Sequence, residues 1–288
     1  RARVAEIRVE PLPRLQREIA TAKHGQRDAL WSLRRALGQA RESIYIESPT
    51  FARTAHPSED PEEVLPHEID LVNVIAERLS DNPRLKVIIC LPRHPDFAPE
   101  RDNWALAAIN HRTAALNALL ATIPSDRVAA FHPIGFPGRA TAIRSTTVIV
   151  DDSWCMVGTS HIRRRGMTFD GGVDVVSFDR EMVNGYSNRI SRFRQSLMAA
   201  KLGVVAPTAT NNASALWVRL AQPESAFDAI ANLLQQGGLG RLSPIWAGPT
   251  ELAEDFIETD FELADPNGVD DTGEDLLNLL IGQLVEGD

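Results

Sequence analysis

Residues 143–161 read IRSTTVIVDDSWCMVGTSH. Two short apolar runs in this segment are separated by Asp151-Asp152-Ser153. Short apolar runs bounded by turn residues are typical of buried strands, and Asp and Ser favour tight turns. The segment therefore predicts two paired strands, over 146–151 and 154–157, joined by a tight turn.

The rest of the chain alternates between helical and strand patterns. Leu30, Leu33 and Leu37 recur at helical spacing, whereas Leu85–Leu91 is a continuous apolar run, as expected for a strand covered on both faces. The same reasoning predicts helices over 27–41, 69–79, 104–120 and 179–201, and further strands over 43–47, 128–131 and 173–178. This alternation favours an α/β fold, with a layered mixed β-sheet flanked by helices.

Composition narrows the class of protein. The chain has 288 residues and 43% hydrophobic content, which is enough for a substantial core. Cys90 and Cys155 both lie in apolar runs, which favours buried, reduced thiols over a disulfide or a metal pair. The sequence shows neither a signal peptide nor an apolar run long enough to span a bilayer, so we expect a soluble, cytoplasmic protein.

Acidic residues are concentrated at the C-terminal end of the sequence. Residues 251–288 contain 13 acidic residues and neither lysine nor arginine; the remaining chain has 26 acidic and 30 basic residues. Such a tail is typical of a solvated segment, and the alternative is a tail that covers a basic groove or docks on a partner. We predict an N-terminal extension or linker (1–26), an α/β domain (27–203), a linker with a small helical appendix (204–250) and the acidic tail (251–288).

The 143–161 segment also keeps the spacing of a known motif. Arg144, Thr146 and Asp151 stand at the three positions of His-x-Lys-x4-Asp, and Gly158-Thr159-Ser160-His161 stands where Gly-Ser-x-Asn follows. This pattern resembles the motif of the phospholipase D superfamily. Residues 44–51, 87–96 and 173–203 are similar to other elements of that family, so the resemblance extends over residues 28–235 and concerns the C-terminal half of its members.

The resemblance implies a site in which the motif His attacks phosphorus, the Lys holds phosphate oxygens and a later acidic residue orients the His. Arg144 replaces that His, and a protonated guanidinium has no lone pair with which to attack. Thr146 replaces the Lys and brings no charge. Asp151 matches the motif Asp or is simply a turn residue. His161 is a possible substitute base or nucleophile, or a structural histidine, and Asp174 stands near the position of the acidic partner.

Arginine binds phosphate through paired N–H groups, so the altered motif predicts phosphate binding without turnover. The predicted phosphate ligands are Arg144, Thr146, Thr159, Ser160, Arg163 and Arg165. The alternative is that Arg144 pairs with a carboxylate such as Asp174 while residues 163–165 form a solvated loop. We expect neither a metal nor a cofactor, because the sequence has no His and Cys spacing typical of a metal site.

Three functions remain open at this point. The first is a non-catalytic phospholipase D-like half that serves as a structural partner or binds a phosphate-containing ligand. The second is an active phosphodiesterase whose catalytic His, Lys and Asp come from a second half, because family members need two such halves, located upstream or in another chain. The third is a nucleic-acid-binding module regulated by the acidic tail.

Overall fold

The computed structural model describes residues 21, 24–55, 68–95, 102–120, 126–135, 138–179, 181–183 and 186–245. The helices are α1 (Asp28–Gly38), α2 (Leu71–Asp81), α3 (Asp102–Leu120), α4 (Asn188–Lys201), α5 (Ala215–Arg219) and α6 (Pro223–Gln235). The strands are β1 (Ser43–Glu47), β2 (Lys86–Cys90), β3 (Val128–Gly135), β4 (Arg139–Ala140), β5 (Thr146–Val150), β6 (Trp154–Gly158), β7 (Asp174–Phe178), β8 (Met182–Val183), β9 (Tyr186–Ser187) and β10 (Leu242–Pro244).

One mixed sheet organises these elements in the order β10-β3-β2-β1-β5-β6-β7, and β4 pairs with β3 beside it. The β1–β2 and β2–β3 pairs are parallel, whereas β1–β5, β5–β6, β6–β7 and β3–β10 are antiparallel. The predicted pair of strands around Asp151-Asp152-Ser153 is confirmed. Both turn aspartates have positive φ angles, 51° and 47°, which Asp tolerates better than most residues.

Helices cover both faces of the sheet, as the fold class predicted. Successive side chains of a strand point to opposite faces: Ile44 and Ile46 pack in one buried cluster, and Tyr45 packs in the other. The first cluster lies under α1, α2 and α3, and the second under α4 and α6. The free thiols of Cys90 and Cys155 are both buried, as predicted.

A buried ion pair fastens the second helical layer to the turn between β5 and β6. The Asp152 carboxylate, which is 0% exposed, receives hydrogen bonds from Arg194 Nε (2.7 Å) and Arg194 Nη2 (2.9 Å). The same guanidinium donates to the carbonyls of Leu220 and Ala221, each at 3.0 Å. The pair therefore joins the sheet, α4 and the end of α5.

The helix predicted over 179–201 is wrong in its first third. Helix α4 begins at Asn188, and β8 and β9 pair with each other before it. Ser187 caps α4, because its hydroxyl accepts the Ile190 N–H at 3.1 Å and donates to the Asp179 carboxylate at 2.7 Å. These local hydrogen bonds outweigh the helical spacing of apolar residues in this segment.

Residues that we assigned to a helical appendix complete the core. Phe227 and Ile230 of α6 and Leu242 of β10 belong to the second buried cluster, and β10 extends the sheet beyond β3. This part of the appendix is therefore integral to the α/β domain. The acidic tail and most of the predicted extension over 1–26 lie outside the described residues. Among the described helices, none has the length and apolarity needed to cross a bilayer.

Candidate functional site

The motif residues meet other strand ends at one edge of the sheet. β1, β2 and β3 run parallel, so their carboxyl ends lie at the same edge. Thr146 at the start of β5 pairs with Gly158 at the end of β6, and Gly158 pairs with Asp174 at the start of β7. This edge, the carboxyl edge, is where ligands bind in many open α/β sheets.

Thr146 is the centre of a small network of hydroxyl and imidazole groups. Its side chain is 0% exposed, and its Oγ1 lies 3.1 Å from Ser48 Oγ and 3.3 Å from His161 Nδ1. Ser48 is equally buried and also accepts the Ile162 N–H at 3.5 Å. The Thr146 hydroxyl is therefore held by protein groups at the position where the resembled motif has a lysine.

His161 offers a neutral imidazole at this edge. Burial is the largest cause that lowers its pKa below the usual 6.5, and nearby Arg163 lowers it further. Asp170 and Asp174 act in the opposite direction and offset part of this shift. The ring is therefore uncharged at neutral pH and keeps a lone pair on one nitrogen.

Asp174, the predicted acidic partner, is engaged with Ser160 instead of an imidazole. Its Oδ2 accepts the Ser160 hydroxyl proton at 2.5 Å, and its Oδ1 accepts the Ser160 backbone N–H at 3.2 Å. Beside this pair, Thr159 Oγ1 accepts the Val173 N–H at 3.0 Å. Thr159 and Ser160, two of the three predicted hydroxyl ligands of phosphate, thus hold the start of β7 against the end of β6.

Asp170 draws two of the predicted phosphate-binding arginines away from the motif. Its carboxylate receives Arg163 Nη2 at 2.7 Å and Arg165 Nε at 2.6 Å. Arg164, between them, lies 3.9 Å from Glu68. Arg144 is exposed just before β5. The structure therefore brings Thr146, His161, Ser160 and Asp174 to one edge but neutralises much of the positive charge expected there.

Asp151 lies at the far end of β5 from Thr146, about 16 Å away by the rise per residue of a strand. Its carboxylate accepts the backbone N–H groups of Arg41 (2.8 Å), Glu42 (2.8 Å) and Ser43 (2.9 Å). It thereby fixes the start of β1 against the β5–β6 turn. Of the two interpretations of this residue, the geometry favours the structural one.

A cavity of about 750 Å³ lies beside the site, between α1 and β7. Asp28, Asp170 and Asp174 line it, together with Ser160 and Val176, and its described lining includes neither lysine nor arginine. A carboxylate-rich wall repels phosphate, so this cavity does not supply the predicted anion pocket. Within the described ranges, no three His, Cys, Asp or Glu side chains come close enough together to hold a metal ion.

Two groups at the carboxyl edge were missed as site residues by sequence reasoning. Ser48 directly follows β1, and its place at the end of a predicted buried strand was the available signal. Arg112 belongs to α3 and donates to the Pro92 carbonyl at 2.9 Å. Nothing in the local pattern of that helix indicates such a long-range contact.

No family model matches the chain, and the search of curated proteins found no match. Solved structures that it resembles include a phospholipase D family member, Nuc from Salmonella typhimurium, at 14% identity over 57% of this chain and 81% of that chain (TM-score 0.38). NucT from Helicobacter pylori matches at 17% identity, 59% and 86% coverage and a TM-score of 0.39. Phosphatidylserine synthase from Haemophilus influenzae matches at 11% identity, 71% and 42% coverage and a TM-score of 0.43.

These three proteins are members of the phospholipase D superfamily, the family that the motif resembles. The identities and TM-scores are low, and nothing about activity follows from the likeness. Any inference about function therefore depends on the side chains at the carboxyl edge of this chain.

Proposed function

We propose that this chain is a phospholipase D-like half that does not catalyse phosphodiester hydrolysis on its own. The observation that carries the proposal is the state of the two central motif positions. Arg144 has no lone pair for attack on phosphorus. Thr146 is uncharged and fully buried, with its hydroxyl held between Ser48 and His161.

The role left to such a half is structural support of a second half, binding of a phosphate-containing ligand, or both. The second half lies upstream or in another chain under this proposal, and the protein acts in the cytoplasm. Asp170 occupies Arg163 and Arg165, so a phosphate at the motif would have to compete with this carboxylate for both guanidinium groups.

A second candidate is a working phosphodiesterase that uses His161 in place of the motif His. The observation that favours it is the neutral imidazole beside Thr146, because an uncharged ring has a lone pair available for attack. Against it, the Asp174 carboxylate is hydrogen-bonded to Ser160 and does not orient this ring.

Turnover assays of the purified chain separate the two candidates. The substrates are bis(p-nitrophenyl) phosphate, phosphatidylcholine vesicles and single-stranded DNA, and the proteins are the unmodified chain, His161→Ala and the matched control His94→Ala. His94 is exposed in the segment after β2 and is not among the residues hydrogen-bonded to Thr146 or Ser48. We expect all three proteins to give the rate of buffer alone.

Acid quenching followed by intact-mass measurement tests the same point chemically, since a phosphoenzyme adds the mass of the transferred group. We expect none. Turnover with a trapped adduct that disappears in His161→Ala but persists in His94→Ala would reject the first proposal and establish the second. Turnover that requires addition of a separate catalytic half would support the role of a structural half.

A further inference from the structure

A basic group lies at the carboxyl edge of the sheet on the side away from the motif. It consists of Arg93, Arg112 and His132, and we call it the β2–β3 basic group. Arg112 Nη1 donates to the carbonyl of Pro92 at 2.9 Å, and His132 Nδ1 lies 3.1 Å from the carbonyl of Leu91. Leu91 and Pro92 directly follow β2, and His132 lies in β3, so the group converges on the backbone that leaves β2.

Among the residues that the structure describes, no carboxylate pairs with the positive charges of this group. Arg112 Nε is buried and has no hydrogen-bond partner, and no carboxylate in the described part of the chain lies within 4.0 Å of its guanidinium. Arg93, next to Pro92, is exposed and adds a second cation. A cation that loses part of its hydration without gaining an anion is destabilised, so such a site attracts a counter-ion.

The state of His132 agrees with this charge distribution. The pKa of His132 is lowered to about 4, first by burial and then by the charges of Arg112 and Arg93, while its backbone hydrogen bonds act in the opposite direction. A carbonyl oxygen only accepts, so Nδ1 donates to Leu91 and the neutral ring presents its lone pair at Nε2. Such a nitrogen accepts a hydrogen bond from the hydroxyl of a protonated oxyanion.

We propose that Arg112, Arg93 and His132 form a binding site for a phosphate group at the carboxyl ends of β2 and β3. Two guanidinium groups supply two positive charges, which match a phosphate dianion better than a single carboxylate, and each presents the paired N–H groups that bind phosphate oxygens. Because β1 separates β2 from β5, this site lies about 10 Å from the Thr146 network. It is therefore a different site from the one expected at the motif.

The contrast with the motif arginines strengthens the assignment. Arg163 and Arg165 already share the carboxylate of Asp170, whereas the guanidinium of Arg112 meets a single backbone carbonyl. An added phosphate at Asp170 would have to displace a bound carboxylate. At Arg112 a phosphate would give the buried Nε–H an acceptor without displacing a carboxylate of the described residues.

Proton NMR with inorganic phosphate as the probe tests the proposal on the full chain at constant ionic strength. We expect the Arg112 Nε–H resonance to shift as phosphate is added at neutral pH. We also expect the pKa of His132 to rise by about one unit in saturating phosphate, because a bound anion favours the imidazolium form.

Three variants make the result specific to this site. Arg112→Met is expected to raise the pKa of His132 without phosphate, since a positive neighbour is lost, and to abolish the phosphate response. Arg93→Met, at an exposed position, is expected to weaken phosphate binding about tenfold, as loss of one charge-assisted contact does. The matched control is Arg84→Met, an exposed arginine just before β2 at the opposite edge of the sheet, which is expected to keep the full response.

A His132 pKa and an Arg112 Nε–H signal that ignore phosphate would overturn the proposal. So would a phosphate response that survives in Arg93→Met at full strength, or an equal response to acetate, which would indicate a site for any small anion. The test does not depend on catalysis: turnover at the motif and phosphate binding at the β2–β3 basic group are measured by separate signals.

Discussion

Arg194→Met is the substitution for which the structure gives the clearest expected loss of stability. Arg194 is 2% exposed and donates two hydrogen bonds to Asp152, which is 0% exposed. Removing one partner of a buried ion pair leaves an uncompensated charge and lowers the free energy of unfolding by about 3–5 kcal/mol. The carbonyls of Leu220 and Ala221 also lose a donor, so we expect a loss of at least about 4 kcal/mol.

Urea unfolding followed by circular dichroism measures this loss, and a double-mutant cycle identifies its cause. Asp152→Gly is the second single variant, because glycine accepts the positive φ of 47° at this position. The double variant removes both charges, so its loss is expected to be smaller than the sum of the single losses by at least about 2 kcal/mol.

Arg189→Met is the matched control. Arg189 forms a 3.7 Å pair with Glu181, and both side chains are more than 75% exposed. Exposed pairs contribute little, so we expect a change of less than about 0.5 kcal/mol. A loss below about 1 kcal/mol for Arg194→Met, or single losses that simply add, would refute the claim that this pair fastens the second helical layer to the sheet.

Three further predictions concern the carboxyl edge and the opposite turn. Asp151→Ala is expected to lower the free energy of unfolding by about 3 kcal/mol in urea titrations. Three backbone N–H groups lose their acceptor, and alanine tolerates a positive φ poorly. Asp151→Asn is expected to lower it by about half as much. Gly158→Ala is expected to unfold the chain or to displace β7, since an added Cβ would overlap the Asp174 carboxylate and the Val173 carbonyl; an unchanged thermal midpoint would contradict this packing. The pKa of His132 is about 4 in the folded state and about 6.5 in the unfolded chain, so the folded state binds fewer protons between these values. The free energy of unfolding therefore falls as the pH drops from about 6.5 to 4, by up to about 3 kcal/mol. Urea midpoints in phosphate-free buffers should therefore fall more steeply over this range in the unmodified chain than in His132→Gln, and equal slopes would contradict the assignment.

Sequence patterns predicted the sheet well where burial alone determines structure. The apolar run around Val87–Leu91 became β2, and the heptad-like spacing of Leu30, Leu33 and Leu37 became the buried face of α1. In these elements any other secondary structure would expose apolar side chains to water, so the apolar pattern predicts a single secondary structure. The turn at Asp151-Asp152-Ser153 could also be predicted, because Asp is one of the few residue types that tolerate a positive φ.

Prediction was weaker where short-range hydrogen bonds compete with periodicity. Met182, Tyr186 and Ile190 are spaced like one face of a helix, yet β8 and β9 pair there and α4 starts only at Asn188. The neighbouring Asn184-Gly185 in the sequence is a common hairpin signal, and it is a better guide than the apolar spacing. Ser187 then supplied a helix start that the periodicity argument had placed nine residues too early.

The electrostatics of the candidate site could not be predicted from the sequence. Thr146, His161 and Asp174, which the resemblance assigned to one site, lie at one edge of the sheet, whereas Asp151 lies at the opposite end of β5. Asp170 forms ion pairs with two arginines, and Arg112 of α3 contacts the end of β2. Both arrangements depend on contacts that are formed only when the chain folds. Such contacts leave no periodic signal in a single sequence.

The preserved motif spacing has a structural explanation that is independent of catalysis. Asp151 closes β5 and accepts three backbone N–H groups at the start of β1, so its distance from the first motif position is set by the length of the strand between them. The fold needs this anchor and this strand length whatever residue stands at position 144. Exact motif spacing with altered residues is therefore evidence for the fold alone. The chemistry of the site depends on which side chains the fold brings to the carboxyl edge.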